Sequence, residues 1–343
     1  MDQHDRLVQQ VRARIADASR VCSERITKED GREAILLCFV RAWYACPMTD
    51  AQPPEDRLDD ALQRRVLDRM GLTTPPPRSL GGLFALYRAW CAHVPFDNIQ
   101  KVIALRTSRP GPLPGIDAED FLTRWLDEGT GGTCWTSSNA LYVLARTLGF
   151  DARRIAASMR DTGILTHAST VVHVGPDRWL LDSAMLTDVP LPLGQEVFVH
   201  EDPVYAAEVE PADDGHVVWW DCPPNPEYLP CRLQAGPVDH RFYREAYEAS
   251  RARGPFNQRL YIRRNFPREM RLIVGNTRYS QTADGLDVQH LTEDGLVRAL
   301  VEEMGVSPGV VEAWSRAGGL SASFEAPEGP PPPAPSRPRP SRR

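Results

Sequence analysis

One cysteine stands where the chain changes from loop to helix. Cys134 follows a Gly-Gly-Thr run at residues 131–133 and opens an amphipathic segment, which predicts a helix over residues 135–149. Glycines let the backbone turn and approach a substrate closely, and the positive end of the helix macrodipole favours a thiolate. Cys134 is therefore a candidate nucleophile. The alternative interpretation is a small side chain packed at a helix start, since free cysteines are usually buried and inert.

A thiolate nucleophile also needs a base that is held in place by a third group. His167 begins one predicted strand, and Asp182 ends the next strand after a Gly-Pro-Asp hairpin at residues 175–177. In an antiparallel pair the start of one strand lies beside the end of its neighbour. We therefore expect Asp182 to accept from the His167 ring and fix its tautomer. His173 lies close to the turn and is disfavoured for that reason, so the spacing favours a Cys134–His167–Asp182 triad.

These residues resemble the arylamine N-acetyltransferase family, whose signature is Arg-Gly-Gly-x-Cys, a histidine that opens a strand and an aspartate that closes the next. A second match is Pro-Phe-Asp-Asn-Ile at residues 95–99, which is similar to the family's Pro-Phe-Glu-Asn-Leu. The resemblance covers about residues 57–310. This chain departs from the family's pattern at Thr130 in place of arginine, Thr136 in place of an acidic residue, a displaced Asn139, and Ser183-Ala184-Met185-Leu186 in place of Val-Gly-Phe-Gly.

The resemblance implies a ping-pong acyl transfer. Cys134 would take an acyl group from a thioester and pass it to a small-molecule amine, His167 would move the protons, and Asp182 would orient the ring. Phe96 and Trp135 would line the acceptor site, although either could equally be a core residue. The co-substrate would be coenzyme A or an acyl carrier protein, with no bound cofactor. The lost glycines after Asp182 predict that Met185 or Leu186 narrows the path of the thioester arm, so that acetyl-CoA acylates Cys134 poorly.

Two other functions stay open. A transglutaminase- or cysteine-protease-like hydrolase uses the same Cys–His–Asp logic, and the Pro-Phe-Asp-Asn phrase ahead of the cysteine argues against it. A non-catalytic binding or regulatory protein on the same scaffold would explain the drifted motif residues, but it has no need for all three triad side chains.

The order of the elements is helices first, then strands, then a mixed end, which indicates an α+β fold. With the resemblance, this implies an N-terminal helical bundle, a central antiparallel β-barrel-like domain and a C-terminal α/β lid around a core like that of cysteine proteases. The expected division is a helical extension (1–56), a helical domain with the nucleophile (57–150), a β domain with the histidine and aspartate (151–255), the lid (256–325) and a disordered, proline-rich basic tail (326–343).

Composition narrows the partners. A net charge of −6 gives no basic surface for nucleic acid, and the charged N-terminus and short apolar runs predict neither a signal peptide nor a membrane span. A cytoplasmic protein is expected. The seven cysteines are odd in number and form no Cys-x-x-Cys pair, which predicts reduced thiols. Cys231 and His240 have no near partner at ligand spacing, so no metal site is expected.

Overall fold

The computed structural model describes residues 56–326 and 336–338. The expected helical extension therefore lies outside the described residues except for Asp56, as does most of the tail. The same holds for Cys22, Cys38 and Cys46, whereas the four described cysteines are free thiols.

Helices come first in the described chain. They are α1 (Asp60–Arg69), α2 (Leu80–His93), α3 (Ile99–Arg106), α4 (Ala118–Glu128) and α5 (Cys134–Thr147), with a two-residue strand β1 (Phe96–Asp97) between α2 and α3. Asp59 caps α1 by accepting from the Leu62 N–H at 2.7 Å. The sequence periodicity does not predict α3, because eight residues are too few to show a clear helical period.

Helix α5 runs through the main core. All of its residues from Cys134 to Ala145 are buried, so it has no solvent face, and its polar side chains must find partners inside the protein. Ser138 donates to the carbonyl oxygen of Ala168 at 2.8 Å, and Asn139 donates to that of Ile116 at 2.7 Å. These bonds fix the helix against its neighbours on two sides.

The next segment is one antiparallel sheet. Its strands along the chain are β2 (Asp151–Met159), β3 (His167–Val174), β4 (Asp177–Leu181), β5 (Leu191–Pro192), β6 (Phe198–His200), β7 (Ala207–Ala212), β8 (Gly215–Trp220) and β9 (Glu227–Val238). Their order across the sheet is β5-β4-β3-β2-β9-β8-β7-β6. Because β5 and β6 are consecutive in sequence yet stand at the two ends of this order, the sheet curls into a nearly closed barrel.

The third part is the lid. Helix α6 (His240–Ala249) leads into β10 (Tyr261–Phe266), β11 (Glu269–Val274), β12 (Thr277–Thr282) and β13 (Gly285–His290). Strand β1 pairs with β10, so the sheet order is β1-β10-β11-β12-β13 and the lid sheet incorporates residues from the helical part. Helix α7 (Glu293–Arg298) continues as a π-helical turn over Ala299–Glu303 and is followed by α8 (Pro308–Arg316) and α9 (Gly319–Phe324). The α+β class with a barrel-like sheet is confirmed.

Part of the tail contacts the barrel. Strand β14 (Arg337–Pro338) pairs antiparallel with the start of β9, and the Ser336 hydroxyl donates to the Glu227 carboxylate. The paired residues of β9, at 227–228, lie ahead of its registers with β2 and β8, so this end of the strand extends past its other partners. At residues 336–338 the structure therefore departs from the expected disorder.

Candidate active site

Cys134 is the first residue of α5 and is 4% exposed. The residue before it, Thr133, has extended backbone but makes no side-chain cap to the helix. The hydroxyls of Thr136 and Ser137 instead donate back to the Thr133 carbonyl oxygen, at 2.9 and 3.0 Å. No described side chain therefore caps the first turn of α5. The N–H groups of Thr136 and Ser137 bond to the Thr133 carbonyl oxygen, which leaves those of Cys134 and Trp135 at the helix start.

The two glycines ahead of Cys134 are required by space. A Cβ on Gly131 would lie 1.8 Å from the carbonyl oxygen of Pro95, and one on Gly132 would lie 2.2 Å from the Thr136 hydroxyl oxygen. Neither glycine has a positive φ, so the interpretation that they serve a turn is wrong. They let β1 lie directly against the segment that enters α5, as the hydrogen bond from the Asp97 N–H to the Gly132 carbonyl oxygen at 3.1 Å shows.

His167 and Asp182 form a buried pair at the predicted place. His167 begins β3, Asp182 directly follows β4, and the His167 Nε2 atom lies 2.7 Å from an Asp182 carboxylate oxygen. Burial opposes protonation of the ring, but the Asp182 carboxylate outweighs it and holds the pKa of His167 well above its usual value. Burial likewise raises the pKa of the Asp182 carboxyl, and the His167 charge and several donors together bring it below the usual value. Both directions favour an imidazolium beside a carboxylate.

Asp182 is held from several directions. The Ser169 hydroxyl donates to the same carboxylate oxygen at 2.6 Å, and the N–H groups of Ala184 and Met185 donate to the other oxygen at 2.9 Å each. The Tyr87 hydroxyl donates to the Asp182 carbonyl oxygen at 2.7 Å and accepts from its N–H at 3.1 Å. A carboxylate with this many donors is held both ionised and in one orientation.

The thiol lies against the histidine. The Cys134 Sγ atom is 3.8 Å from the carbonyl oxygen of Thr166, the residue directly ahead of His167. Cys134 is also among the groups that raise the pKa of His167. Because Nε2 is bonded to Asp182, Nδ1 is the ring nitrogen left for the thiol. The three residues singled out in the sequence are thus brought together in one site.

A cluster of three buried serines joins the two halves of this site. Ser183, next to Asp182, lies 2.8 Å from the hydroxyl oxygens of both Ser137 and Ser138 in α5. The cluster ties the helix that carries the thiol to the loop that carries the carboxylate. The sequence contains no signal for it, because the partners are 45 and 46 positions apart.

Solved structures of arylamine N-acetyltransferases superpose on the chain. The enzyme from Mycobacterium abscessus aligns over 82% of this chain and 100% of its own, with a TM-score of 0.66 and 19% identity. The enzyme from Salmonella typhimurium aligns over 76% and 100%, with a TM-score of 0.63 and 15% identity. A complex of the Mycobacterium marinum enzyme with CoA aligns over 72% and 96%, with a TM-score of 0.62 and 18% identity. This chain has the arylamine N-acetyltransferase fold.

Similarity in sequence is slight. The arylamine N-acetyltransferase of Mycolicibacterium smegmatis is 28% identical over 90 residues, which are 26% of this chain and 30% of that protein. The match thus spans less than a third of that relative's length, and no protein-family profile matches the chain. The arylamine N-acetyltransferase fold is therefore kept here by a strongly diverged sequence.

The largest divergence lies directly after Asp182. Leu186, at a position where the family has glycine, has a φ of 49°, a left-handed conformation that is costly for leucine. The Asn265 side chain donates to the Leu186 carbonyl oxygen at 2.6 Å and supports this backbone. The Leu186 side chain is fully buried in the main core, the cluster that also contains Cys134, and its narrowing of the cleft stays a prediction. Met185 is half-buried and contacts Cys222, with 3.7 Å between the sulfur atoms.

The other three positions at which the sequence departs from the family's pattern are buried among neighbouring residues. Thr130, in place of the arginine, is fully buried, and its hydroxyl has no hydrogen-bond partner within the described parts of the chain. Thr136, in place of the acidic residue, bonds to the first turn of α5. Asn139 accepts from the Arg154 guanidinium at 2.8 Å, and Arg154 pairs with the buried Asp56. This network connects α5 to β2 and is structural.

The two predicted wall residues are both buried. Phe96 packs edge-to-face against Tyr261 and Phe256, with ring centroids 5.5 and 5.3 Å apart. Trp135 packs in the same way against Tyr243 of α6 at 5.2 Å. Phe96 lies in β1, beside the segment that enters α5, whereas Trp135 lies between helices, where it contributes to the core. Contact with a substrate stays a prediction for both.

A cavity that the sequence does not reveal lies beside residues 131–133. It is small, with a free volume of about 10 Å³, and is lined by Asp97, Lys101 and Arg124 among others. Burial raises the pKa of the Asp97 carboxyl to about 6 and lowers that of the Lys101 amine to about 8. The Pro-Phe-Asp-Asn motif could have identified Asp97 as a residue of this cavity. Lys101 could not be identified, because it lies in α3, a helix that the periodicity does not predict.

Among the described residues, no three His, Cys, Asp or Glu side chains are grouped so as to hold a metal ion. In the same part of the chain, no helix combines the length and apolar character that crossing a membrane requires.

Proposed function

We propose that this chain is an acyltransferase that moves an acyl group from a thioester to an amine through an acyl-enzyme on Cys134. The observation that carries the proposal is the buried His167–Asp182 pair, with the Cys134 thiol at the start of a helix and 3.8 Å from the carbonyl oxygen of Thr166, the residue directly ahead of His167. Such a base, oriented by a carboxylate and placed against a thiol, is the arrangement that activates a sulfur nucleophile. The shared fold makes acyl transfer to an amine the first chemistry to test.

In the first half of the reaction, the Cys134 thiolate attacks the carbonyl carbon of the donor thioester. The bond from that carbon to the donor sulfur breaks, and the departing thiolate takes the proton that His167 holds on Nδ1. The first-turn N–H groups of α5, which no described side chain caps, would hold the negative oxygen that develops. One such donor is worth about 3 kcal/mol of transition-state stabilisation.

In the second half, the amine nitrogen attacks the carbonyl carbon of the acyl-enzyme. His167 accepts a proton from the amine on Nδ1 while Asp182 stabilises the imidazolium through Nε2. The bond from the carbon to the Cys134 sulfur breaks, which releases the amide and restores the thiolate–imidazolium pair. An acyl-CoA thioester is one donor to test, because a solved enzyme of this fold binds CoA. A carrier-bound acyl thioester is the other.

The test is the intact mass of the protein after mixing with acetyl-CoA, longer acyl-CoA thioesters and an acyl carrier protein thioester. We expect one acyl adduct per chain, its loss when an aryl amine is added, and amide as the product. Cys134→Ala should give no adduct. Cys91→Ala is the matched control and should keep the adduct, because burial raises the pKa of the Cys91 thiol far above neutrality.

An adduct on another cysteine, or none with any thioester, would refute the proposal. An adduct lost equally fast with and without amine would favour the hydrolase instead.

A further inference from the structure

The lid sheet has two unlike faces. Alternate residues of a strand point to opposite faces, and residues opposite each other in the register share one. Ile262 and its partner Ile273 belong to the apolar core formed with the C-terminal helices. Arg263 belongs to the other face, in a row with Phe96 on one side and Leu272 on the other. This second face packs against Tyr205 and neighbouring apolar residues.

Arg263 is a buried cation with no described counter-ion. Its side chain belongs to a residue that is only 5% exposed, and its Nε atom is sealed from solvent without a hydrogen-bond partner. Over residues 56–326 and 336–338, no carboxylate forms an ion pair with it. The groups that feel its charge are the thiols of Cys91 and Cys222 and the phenols of Tyr205 and Tyr261, which are all neutral at ordinary pH.

The adjacent arginine differs in having a hydrogen-bond partner for its guanidinium. Arg264 points to the opposite face and donates through Nη1 to the carbonyl oxygen of Met304 at 3.0 Å, although its Nε atom, like that of Arg263, has no partner. Leaving a guanidinium unpaired in a buried site is unfavourable, because the charge has lost water and gained no anion. An anionic group from outside the chain would complete the site, and a planar carboxylate matches the guanidinium with two parallel hydrogen bonds.

The position of Arg263 relative to the triad indicates which kind of molecule could carry this anionic group. Strand β1 pairs with β10 opposite Arg263 and also bridges to Gly132, two residues ahead of Cys134. Two strand spacings, about 10 Å, therefore separate β10 from the segment that enters α5. Burial raises the pKa of the Cys222 thiol, and the charges of both Arg263 and the His167–Asp182 pair act on it. This span suits one small molecule with a reacting group at one end and a carboxylate at the other.

We propose that Arg263 binds a carboxylate carried by one of the two substrates, either on the amine acceptor or at the far end of the acyl group. That the ligand is a substrate rests on the proposed function. The binding of a carboxylate at Arg263 can be tested without it. Arg263 is then a specificity residue that contacts substrate and takes no part in proton transfer.

The first test measures binding without catalysis. Thermal unfolding is followed with sodium benzoate, with benzamide as the uncharged probe, for the wild type, Arg263→Met, Arg263→Lys and the control Arg264→Met. We expect benzoate to raise the Tm of the wild type and of R264M fully, that of R263K in part, and that of R263M not at all. Benzamide should raise none of them. Without ligand, R263M should be at least as stable as the wild type, because an unpaired buried charge has been removed. A Tm that falls by several degrees, or an equal benzoate effect in R263M, would overturn the proposal.

The second test assigns the carboxylate to a substrate. Acylation of Cys134 is compared for succinyl-CoA and butyryl-CoA, and deacylation for 4-aminobenzoate and 4-methylaniline, in the wild type and R263M. In one of the two comparisons, R263M should lose roughly 10- to 100-fold of the rate with the carboxylated compound and keep that with the neutral one. Equal losses for charged and neutral compounds in both comparisons would refute a substrate carboxylate at Arg263. If no thioester acylates Cys134, the proposed function fails, while the benzoate measurement still decides whether Arg263 binds a carboxylate.

Discussion

Two short segments deliver side chains to the triad, and they are built in different ways. Residues 131–134 reach Cys134 through backbone contact, since both glycines lie where a Cβ would collide with a neighbouring atom. Residues 183–188 follow Asp182 and contain no glycine, yet Leu186 and Asp188 have φ values of 49° and 64°. Side-chain hydrogen bonds from Tyr87 and Asn265 hold this second segment instead.

The difference explains which part of the site has diverged. Gly131 lies against the Pro95 backbone and Gly132 against the Thr136 side chain, so neither position has room for a Cβ unless its neighbour moves. A loop held by side chains can change its own residues when partners elsewhere supply hydrogen bonds, as the serine cluster around Ser183 does. The segment after Asp182 has therefore lost the glycines typical of the family while the carboxylate keeps its place.

The comparison predicts its largest effect at Gly131. Gly131→Ala should lower the free energy of unfolding by at least about 3 kcal/mol, because the new methyl group meets the Pro95 carbonyl oxygen and the backbone cannot yield. The control is Gly81→Ala in α2, where no atom lies within 4 Å of the new methyl group. It should stabilise the protein by about 0.5–1 kcal/mol through helix propensity. Urea denaturation of both variants measures this, and equal effects would show that the entry to α5 is not held sterically.

A smaller effect is expected where side chains hold the second segment. Tyr87→Phe removes the hydroxyl that bonds both backbone groups of Asp182 inside the core, which should cost about 1–3 kcal/mol. Tyr279→Phe in the lid sheet, where the hydroxyl makes no such backbone clamp, should stay within about 0.5 kcal/mol of the wild type. The same denaturation curves test both, and a neutral Tyr87→Phe would mean that the carboxylate alone orders the loop.

The smallest effect depends on pH. The pKa of His167 is raised in the folded protein by Asp182 against the opposing effect of burial. Its contribution to stability is therefore complete below the unfolded value of about 6.5 and is lost as the pH rises through the folded value. The stability of the wild type relative to His167→Gln should fall from pH 6.5 upward, by no more than about 1.4 kcal/mol per pH unit. Denaturation at pH 6, 7, 8 and 9 measures the slope, and a difference that grows with pH would contradict the ion pair.

The sequence predicted local structure where residues close together in the chain determine it. The start of α5 at Cys134 and the hairpin between β3 and β4 follow from periodicity and turn residues, and the hairpin alone places His167 beside Asp182. The close approach at the glycines was predicted, but its partner, the strand β1, was not, because that contact joins residues about 35 positions apart. The left-handed φ of Leu186 was not predicted, because the sequence does not signal it.

What the sequence by itself determined about this protein is the set of reactive groups and the local elements that carry them: a thiol at a helix start, and a histidine and a carboxylate at neighbouring strand ends. Only the tertiary structure decided what surrounds them. Residues Phe96 and Asp97 became a strand of the lid sheet through pairing with β10, more than 160 positions away. Arg263 came to lie unpaired on the inner face of that sheet by the same pairing. Long-range contacts of this kind depend on how whole elements pack, and no local pattern of residues records that packing.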